Sequence, residues 1–296
     1  MYGLATDRTK KIAKILAKIC ITVLALYVVY QKIDTNRFVQ IIKSVNPAWL
    51  ALALIAFNLS KILSAYRLNS FFKNIELIIN DALNIRLYYI GMFYNLCLPG
   101  GIGGDGYKVY WLNKHFKAKV KELVLATLID RISGLIALCF LFIILFKFIA
   151  DTGKFHLDTL SWFALVSIYP LFWIATERFL ARFKPSFITT NIQSLGVQVL
   201  QLICAIFVLI SLGVHHQFME YQAVFLVSSV VAILPFTIGG IGARELVFVQ
   251  SASLLNIEVN TAVAFSMLFF IITALSSFSG VFINLGQQNR NISELS

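Results

Sequence analysis

An all-α, polytopic membrane protein is the fold class this chain predicts, with about six to eight membrane helices and two Gly/Pro-broken re-entrant hairpins forming an inverted repeat. Three observations lead there. Of 296 residues, 59% are hydrophobic and only 13% are charged, against roughly 25% charged in a soluble domain. The mean hydropathy of +0.81 leaves too little polar surface to cover a water-soluble globule. A proline- and glycine-containing segment near residue 100 recurs near residue 236. Soluble, disordered, collagenous and disulfide-rich classes are excluded. Long continuous apolar runs replace the two-residue alternation of an outer-membrane barrel.

The apolar segments fall at 12–30, 49–66, 82–98, 122–149, 159–176, 194–214, 221–238 and 259–285, with shorter ones at 101–113 and 241–255 directly after glycine-rich breaks. Several reach the roughly 20 residues needed to cross a bilayer. Connecting loops are brief, so residues 1–296 read as one membrane domain. Lysines precede the first segment, but the bulky Tyr27–Lys32 stretch offers no signal-peptidase site, and an uncleaved first helix is expected. Cys20, Cys97, Cys139 and Cys204 lie in apolar stretches without CxxC spacing and read as small buried hydrophobes. The formal charge of +11 is concentrated beside apolar runs, as in cytoplasmic loops near anionic lipid, so no nucleic-acid partner is expected.

The internal repeat is the most informative feature. Leu98-Pro99-Gly100-Gly101-Ile102-Gly103-Gly104-Asp105-Gly106-Tyr107-Lys108 aligns without gaps on Leu234-Pro235-Phe236-Thr237-Ile238-Gly239-Gly240-Ile241-Gly242-Ala243-Arg244. Lys108 thereby faces Arg244. Proline removes a backbone donor and glycine admits positive φ, so Pro99, Gly106, Pro235 and Gly242 are expected where helices stop and restart. Irregular backbone survives in a bilayer only where protein or a water-filled cavity covers it. Paired breaks in two halves of a membrane protein point to a binding site between them.

Charge sets the orientation. Lys108, Lys114, Lys117, Lys119 and Lys121 form a basic cluster expected to face the cytoplasm, together with the N-terminal lysines, Arg67 with Lys73, and Arg178 with Arg182 and Lys184. For all of these to lie inside, segment 82–113 must enter from the cytoplasm and return. His215–Glu220 and Asn256–Glu258 lack Lys and Arg, so segment 221–255 is expected to dip in from outside. Loop 31–48, carrying Lys32, Arg37 and Lys43, fits this scheme least well.

The restarted helices would aim free N–H groups into the membrane, an arrangement that attracts phosphate or carboxylate. Ionisable residues at membrane depth are costly and mark function. The candidate headgroup-binding residues are therefore Asn95, Gly103, Gly104, Asp105, Lys108, Asp130, Arg131, Gly239, Gly240, Arg244 and Glu245. Plainer readings stand beside these. Glycines let helices cross closely, Asp130 or Asp105 can pair internally with Arg131 or Arg244, Asn95 can cap a helix, and Arg67 can snorkel to the interface. Gly101-x-Gly103-x-x-Gly106 fits a dinucleotide pattern but lacks the strand and βαβ unit that would support it. The four histidines show no metal-ligand spacing, and no nucleophile, zinc or P-loop motif occurs. No cofactor is expected.

Three motifs together, Asn95-x-x-Leu98-Pro99-Gly100-Gly101-Ile102-Gly103-Gly104-Asp105, Asp130-Arg131-x-x-Gly134 and Pro235-x-x-Ile238-Gly239-Gly240-Ile241-Gly242-x-Arg244-Glu245, resemble the flippase-like membrane region of lysylphosphatidylglycerol synthases. The resemblance implies a multi-pass protein of the bacterial inner membrane, its N-terminus cytoplasmic, that handles phospholipid. In two-part synthases this region moves an aminoacylated lipid between leaflets, while a separate C-terminal domain makes that lipid from aminoacyl-tRNA. No acyltransferase-type domain follows before Ser296, so lysyl transfer is not expected of this chain. Phe236-Thr237 in place of Gly-Gly also makes the two half-sites inequivalent. The expected function is translocation of an anionic or aminoacylated phospholipid, or another lipid-linked substrate. The alternatives are a membrane-embedded transferase using Asp105 or Asp130 as base, and a non-catalytic partner of a membrane enzyme.

Overall fold

A computed structural model describes residues 20–98, 102–150, 158–233, 240–283 and 285. Among these there are eleven α-helices and no strand. In chain order they are α1 (Cys20–Lys32), α2 (Thr35–Lys43), α3 (Pro47–Asn74), α4 (Asp81–Cys97), α5 (Gly103–Phe116), α6 (Val120–Ala150), α7 (Asp158–Phe179), α8 (Phe187–Ser211), α9 (Phe218–Ile233), α10 (Ala243–Leu255) and α11 (Val259–Phe278). Short 3-10 turns at Ala181–Ser186 and Ser279–Phe282 complete α8 and α11. Five of these segments are long and apolar enough to cross a membrane: α3, α6, α7, the turn with α8, and α11 with its turn. The chain is thus an all-α polytopic membrane protein. The perimeter agrees, because Phe163, Val166 and Ile174 on α7 are mostly exposed, as side chains facing lipid are.

Helix α3 packs along α8, and its polar residues explain why it outruns the apolar segment at 49–66. Asn69 donates to Asp81 at 2.5 Å and to the Ile79 carbonyl at 3.2 Å. Arg67 is 5% exposed. Buried polar groups with partners let the helix continue past its last hydrophobe. Helix α8 likewise begins before residue 194, with Asn191 donating to the Phe187 carbonyl and Thr190 to Ser186. Loop 31–48 is not a plain loop. It holds α2, capped by Asp34, whose side chain accepts from the amides of Asn36 and Arg37. Cys20 and Cys97 are exposed rather than buried, a correction that follows from their lying on the apolar outer surface.

Loop contacts define two ends. At one, Arg182 donates to the Asn74 carbonyl and to Glu122, both at 2.8 Å. A core of Phe71, Phe72, Leu77, Leu83, Leu112, Leu123 and Phe183 packs there, with Phe116 and Ala118 against it. At the other, the Asn46 amide donates to the Ser211 carbonyl at 2.9 Å, Gln217 to the Asn256 carbonyl at 3.1 Å, and the Asp34 amide to Asn260 at 2.8 Å. Helix α4 therefore starts, and α5 ends, at the first end. Helix α9 starts, and α10 ends, at the second.

Helices α4 and α5 have 17 and 14 residues, α9 and α10 16 and 13. At 1.5 Å per residue each measures about 20–26 Å, short of the roughly 30 Å hydrocarbon core.

Candidate functional site

The α4–α5 pair is held by two local devices. Gly104 packs against Gly91 so closely that a Cβ on it would stand 1.9 Å from the Gly91 carbonyl oxygen. The residue before α5 supplies no side-chain cap; instead Asn95, reaching from α4, accepts from the Gly104 amide at 2.8 Å. Tyr94 stacks on Tyr107 with ring centroids 4.5 Å apart. Asn95 thus acts as a helix cap, and one amide expected to be free for a ligand is already engaged. Gly106 is not a break. It lies inside α5, with its amide bonded to the Ile102 carbonyl, because the helix restarts at Gly103. Pro99, Pro235 and Gly239 lie outside the described residues.

At the second turn, Gly240 and Gly242 both take φ of 82°, a left-handed region that side chains disfavour. A Cβ on Gly242 would also meet Ala25 of α1 at 2.8 Å. Glu245, 4% exposed, folds back on this turn, accepting from the Gly242 amide at 2.7 Å and from the Ser266 hydroxyl at 2.8 Å. Its carboxylate caps α10 and is not among the residues that line the polar cavity. A carboxylate at a helix N-terminus is favoured by free amides and the helix dipole, and those amides claim it here.

Residues of seven helices, some of them close in sequence to the two turns, line a cavity of about 310 Å3. Helix α3 contributes Lys61, Ser64 and Arg67; α4 contributes Tyr88, Met92 and Asn95; α5 contributes Asp105 and Lys108. Helix α6 adds Asp130, Arg131, Gly134, Leu135 and Leu138, α8 adds Gln198 and Gln201, α9 adds Ser229, and α10 adds Arg244. Six residues singled out in the sequence, namely Asn95, Asp105, Lys108, Asp130, Arg131 and Arg244, therefore share one cavity. Lys108 and Arg244, equivalent in the repeat, both reach it.

Its charges are largely paired. Asp105 is held by Lys108 at 2.8 Å and by Arg131 at 2.5 Å. Asp130 is held by Arg67 at 2.7 Å, and Arg67 also donates to Ser194 at 3.0 Å. Ser194 in turn shares a 2.7 Å hydrogen bond with Ser133. A Cβ on Gly134 would lie 3.2 Å from the Arg67 guanidinium, so the glycine after Asp130-Arg131 makes room for the partner of Asp130. Arg67 does not snorkel to the interface, since Asp130 and Ser194 satisfy it in the interior. Lys108 does not belong to the loop cluster either: it is 5% exposed and stands 4.6 Å from the Tyr88 ring centroid.

Lys61 and Arg244 differ from the other cations. Neither lies within ion-pair distance of a carboxylate among the described residues. Lys61 sits over the Phe57 ring at 4.5 Å and Arg244 over Phe269 at 4.9 Å. The sequence reading missed Lys61. Its signal was available, as the one charged residue within the apolar segment 49–66.

The family model for the lysylphosphatidylglycerol synthase TM region matches residues 15–280. The chain belongs to this family. Membership in the lysylphosphatidylglycerol synthase TM family makes it a lipid-related membrane protein, and the matched span takes in every helix that lines the cavity. Among curated proteins, no relative matches the chain.

Proposed function

We propose that this member of the family binds a lipid headgroup in the cavity and carries it between leaflets. One observation supports the reading above the others. Residues beside both glycine breaks, Asp105 and Lys108 from one and Arg244 from the other, line a single polar hollow within an apolar bundle. A headgroup housed there avoids the hydrocarbon, where an unsatisfied polar group costs several kcal/mol.

In this reading α4–α5 and α9–α10 are re-entrant hairpins inserted from opposite faces. The end carrying Lys73, Lys117, Lys119, Lys121, Arg182 and Lys184 faces the cytoplasm of a bacterial inner membrane, following the excess of Lys and Arg in cytoplasmic loops. Arg37 fits this scheme because Glu258 pairs with it at 3.1 Å, so the opposite end carries less uncompensated positive charge than loop 31–48 suggests. Rocking one hairpin against the other would expose the cavity to each leaflet in turn.

The transferase alternative requires Asp105 or Asp130 as base. Both carboxylates are engaged in ion pairs with cations, which leaves neither free to face a substrate, so translocation is the better-supported function. Purified protein in liposomes carrying labelled phospholipids tests it. Leaflet exchange above protein-free vesicles, reduced by Arg131→Ala and Arg244→Ala, is expected. Exchange no faster than in empty vesicles across the lipid panel overturns it.

A further inference from the structure

We propose that the cavity selects a headgroup with two negative charges, a terminal phosphate or diphosphate on a membrane lipid, and that Lys61 and Arg244 grip it. This rests on the lipid-headgroup reading above and narrows its substrate class. Among the described residues the cavity is lined by five cations, Lys61, Arg67, Lys108, Arg131 and Arg244, and by two carboxylates, Asp105 and Asp130. The carboxylates are taken by Arg67, Lys108 and Arg131. A surplus of three positive charges remains, two of them on side chains with no carboxylate within ion-pair distance among the described residues.

Lys61 and Arg244 come from α3 and α10 and line the same cavity. Like charges in a poorly solvated interior repel strongly, and an anion between them turns that repulsion into attraction. Ser229 supplies an independent sign of a missing ligand. It is 8% exposed, lines the same cavity, and its hydroxyl has no hydrogen-bond partner among the described residues. Buried hydroxyls are ordinarily paired.

A terminal phosphate fits these three groups. It carries a charge between −1.5 and −2 near neutral pH and offers three acceptor oxygens. The arginine fork takes two of them, leaving one for Lys61 or the serine. The space of about 310 Å3 equals roughly ten water volumes, enough for a phosphate or diphosphate with residual water. A phosphodiester headgroup has one negative charge and leaves much of the surplus unbalanced. An aminoacylated headgroup brings ammonium groups of its own into a field that is already positive.

The test titrates lipids into the full chain in phosphatidylcholine nanodiscs. Probes are phosphatidic acid, a polyprenyl phosphate, phosphatidylglycerol, its lysyl ester and water-soluble glycerol 3-phosphate. Phosphate-terminated lipids are expected to bind at least about tenfold more tightly than phosphatidylglycerol, with the lysyl ester weakest. Lys61→Gln and Arg244→Gln should each erase that preference, while Lys61→Arg keeps it. If the glutamine variants fail to fold, the rank order on the wild-type chain decides alone. Phosphatidylglycerol or its lysyl ester binding as tightly as phosphatidic acid overturns the charge selection and leaves a lipid site intact. Glycerol 3-phosphate binding as tightly as the lipids overturns the lipid source. If no lipid binds above phosphatidylcholine, the lipid-headgroup reading falls, and this proposal with it.

Discussion

Gly104 of α5 stands against the carbonyl of Gly91 in α4, with no room between them for a methyl group. Neither backbone can yield without separating the two helices, because Tyr94–Tyr107 stacking and the Asn95–Gly104 hydrogen bond fix the same crossing. Gly104→Ala should therefore destabilise the protein by about 1–3 kcal/mol, read as a lower unfolding temperature in detergent. Gly106→Ala, where a Cβ meets nothing within 4 Å, should leave that temperature unchanged or raise it.

The Arg67–Asp130 pair is buried on both sides. Removing one partner strands the other charge, so Arg67→Ala should cost about 3–5 kcal/mol. Neutralising both, in Arg67→Gln with Asp130→Asn, should recover much of that loss. A double-mutant cycle on thermal unfolding checks it; additive effects would show that the two side chains do not act as a pair.

Asn95 bonds the Gly104 amide across the first break. Asn95→Ala should cost roughly 0.5–2 kcal/mol, the range for a lost helix cap. Amide exchange at the start of α5 should rise more than exchange in α8, which Asn95 does not touch.

The two cationic loci should separate by function. Arg244→Ala should slow leaflet exchange far more than Lys117→Ala at matched expression, because Arg244 lines the cavity and Lys117 is a solvated C-cap of α5. A loop lysine contributes about 1 kcal/mol of attraction to anionic lipid. Equal losses of exchange would remove Arg244 from the site.

Acid should loosen the end of the bundle where α2 meets α11. Burial alone would raise the Glu258 pKa. Hydrogen bonds from Thr261 and Asn260, together with the Arg37 guanidinium, outweigh it and hold the carboxyl below the usual carboxylate range. A carboxyl lowered on folding contributes stability above its unfolded pKa of roughly 4.3 and loses it as pH falls through the lowered value. Wild-type unfolding temperature should therefore fall below about pH 4 more steeply than that of Glu258→Gln.

By itself the sequence determined the fold class, the positions of the long apolar helices, the repeat and five of the seven charged residues that line the cavity. Hydrophobic runs and a recurring Pro-x-x-Ile-Gly-Gly-x-Gly are local patterns, and each is set by side chains within a few residues of one another. Which charge meets which was a matter for the tertiary structure. Arg67 reads as a snorkelling residue at the end of an apolar run until α6 brings Asp130 to it. Glu245 reads as a ligand until the amide of Gly242 turns to meet it, and α2 hides in a polar loop because it is amphipathic rather than apolar. Lys61 and Arg244 acquire meaning only when α3 and α10 place them in one cavity whose two carboxylates are paired with other cations. Pairing energies depend on distance and on the surrounding dielectric, and chain order carries neither.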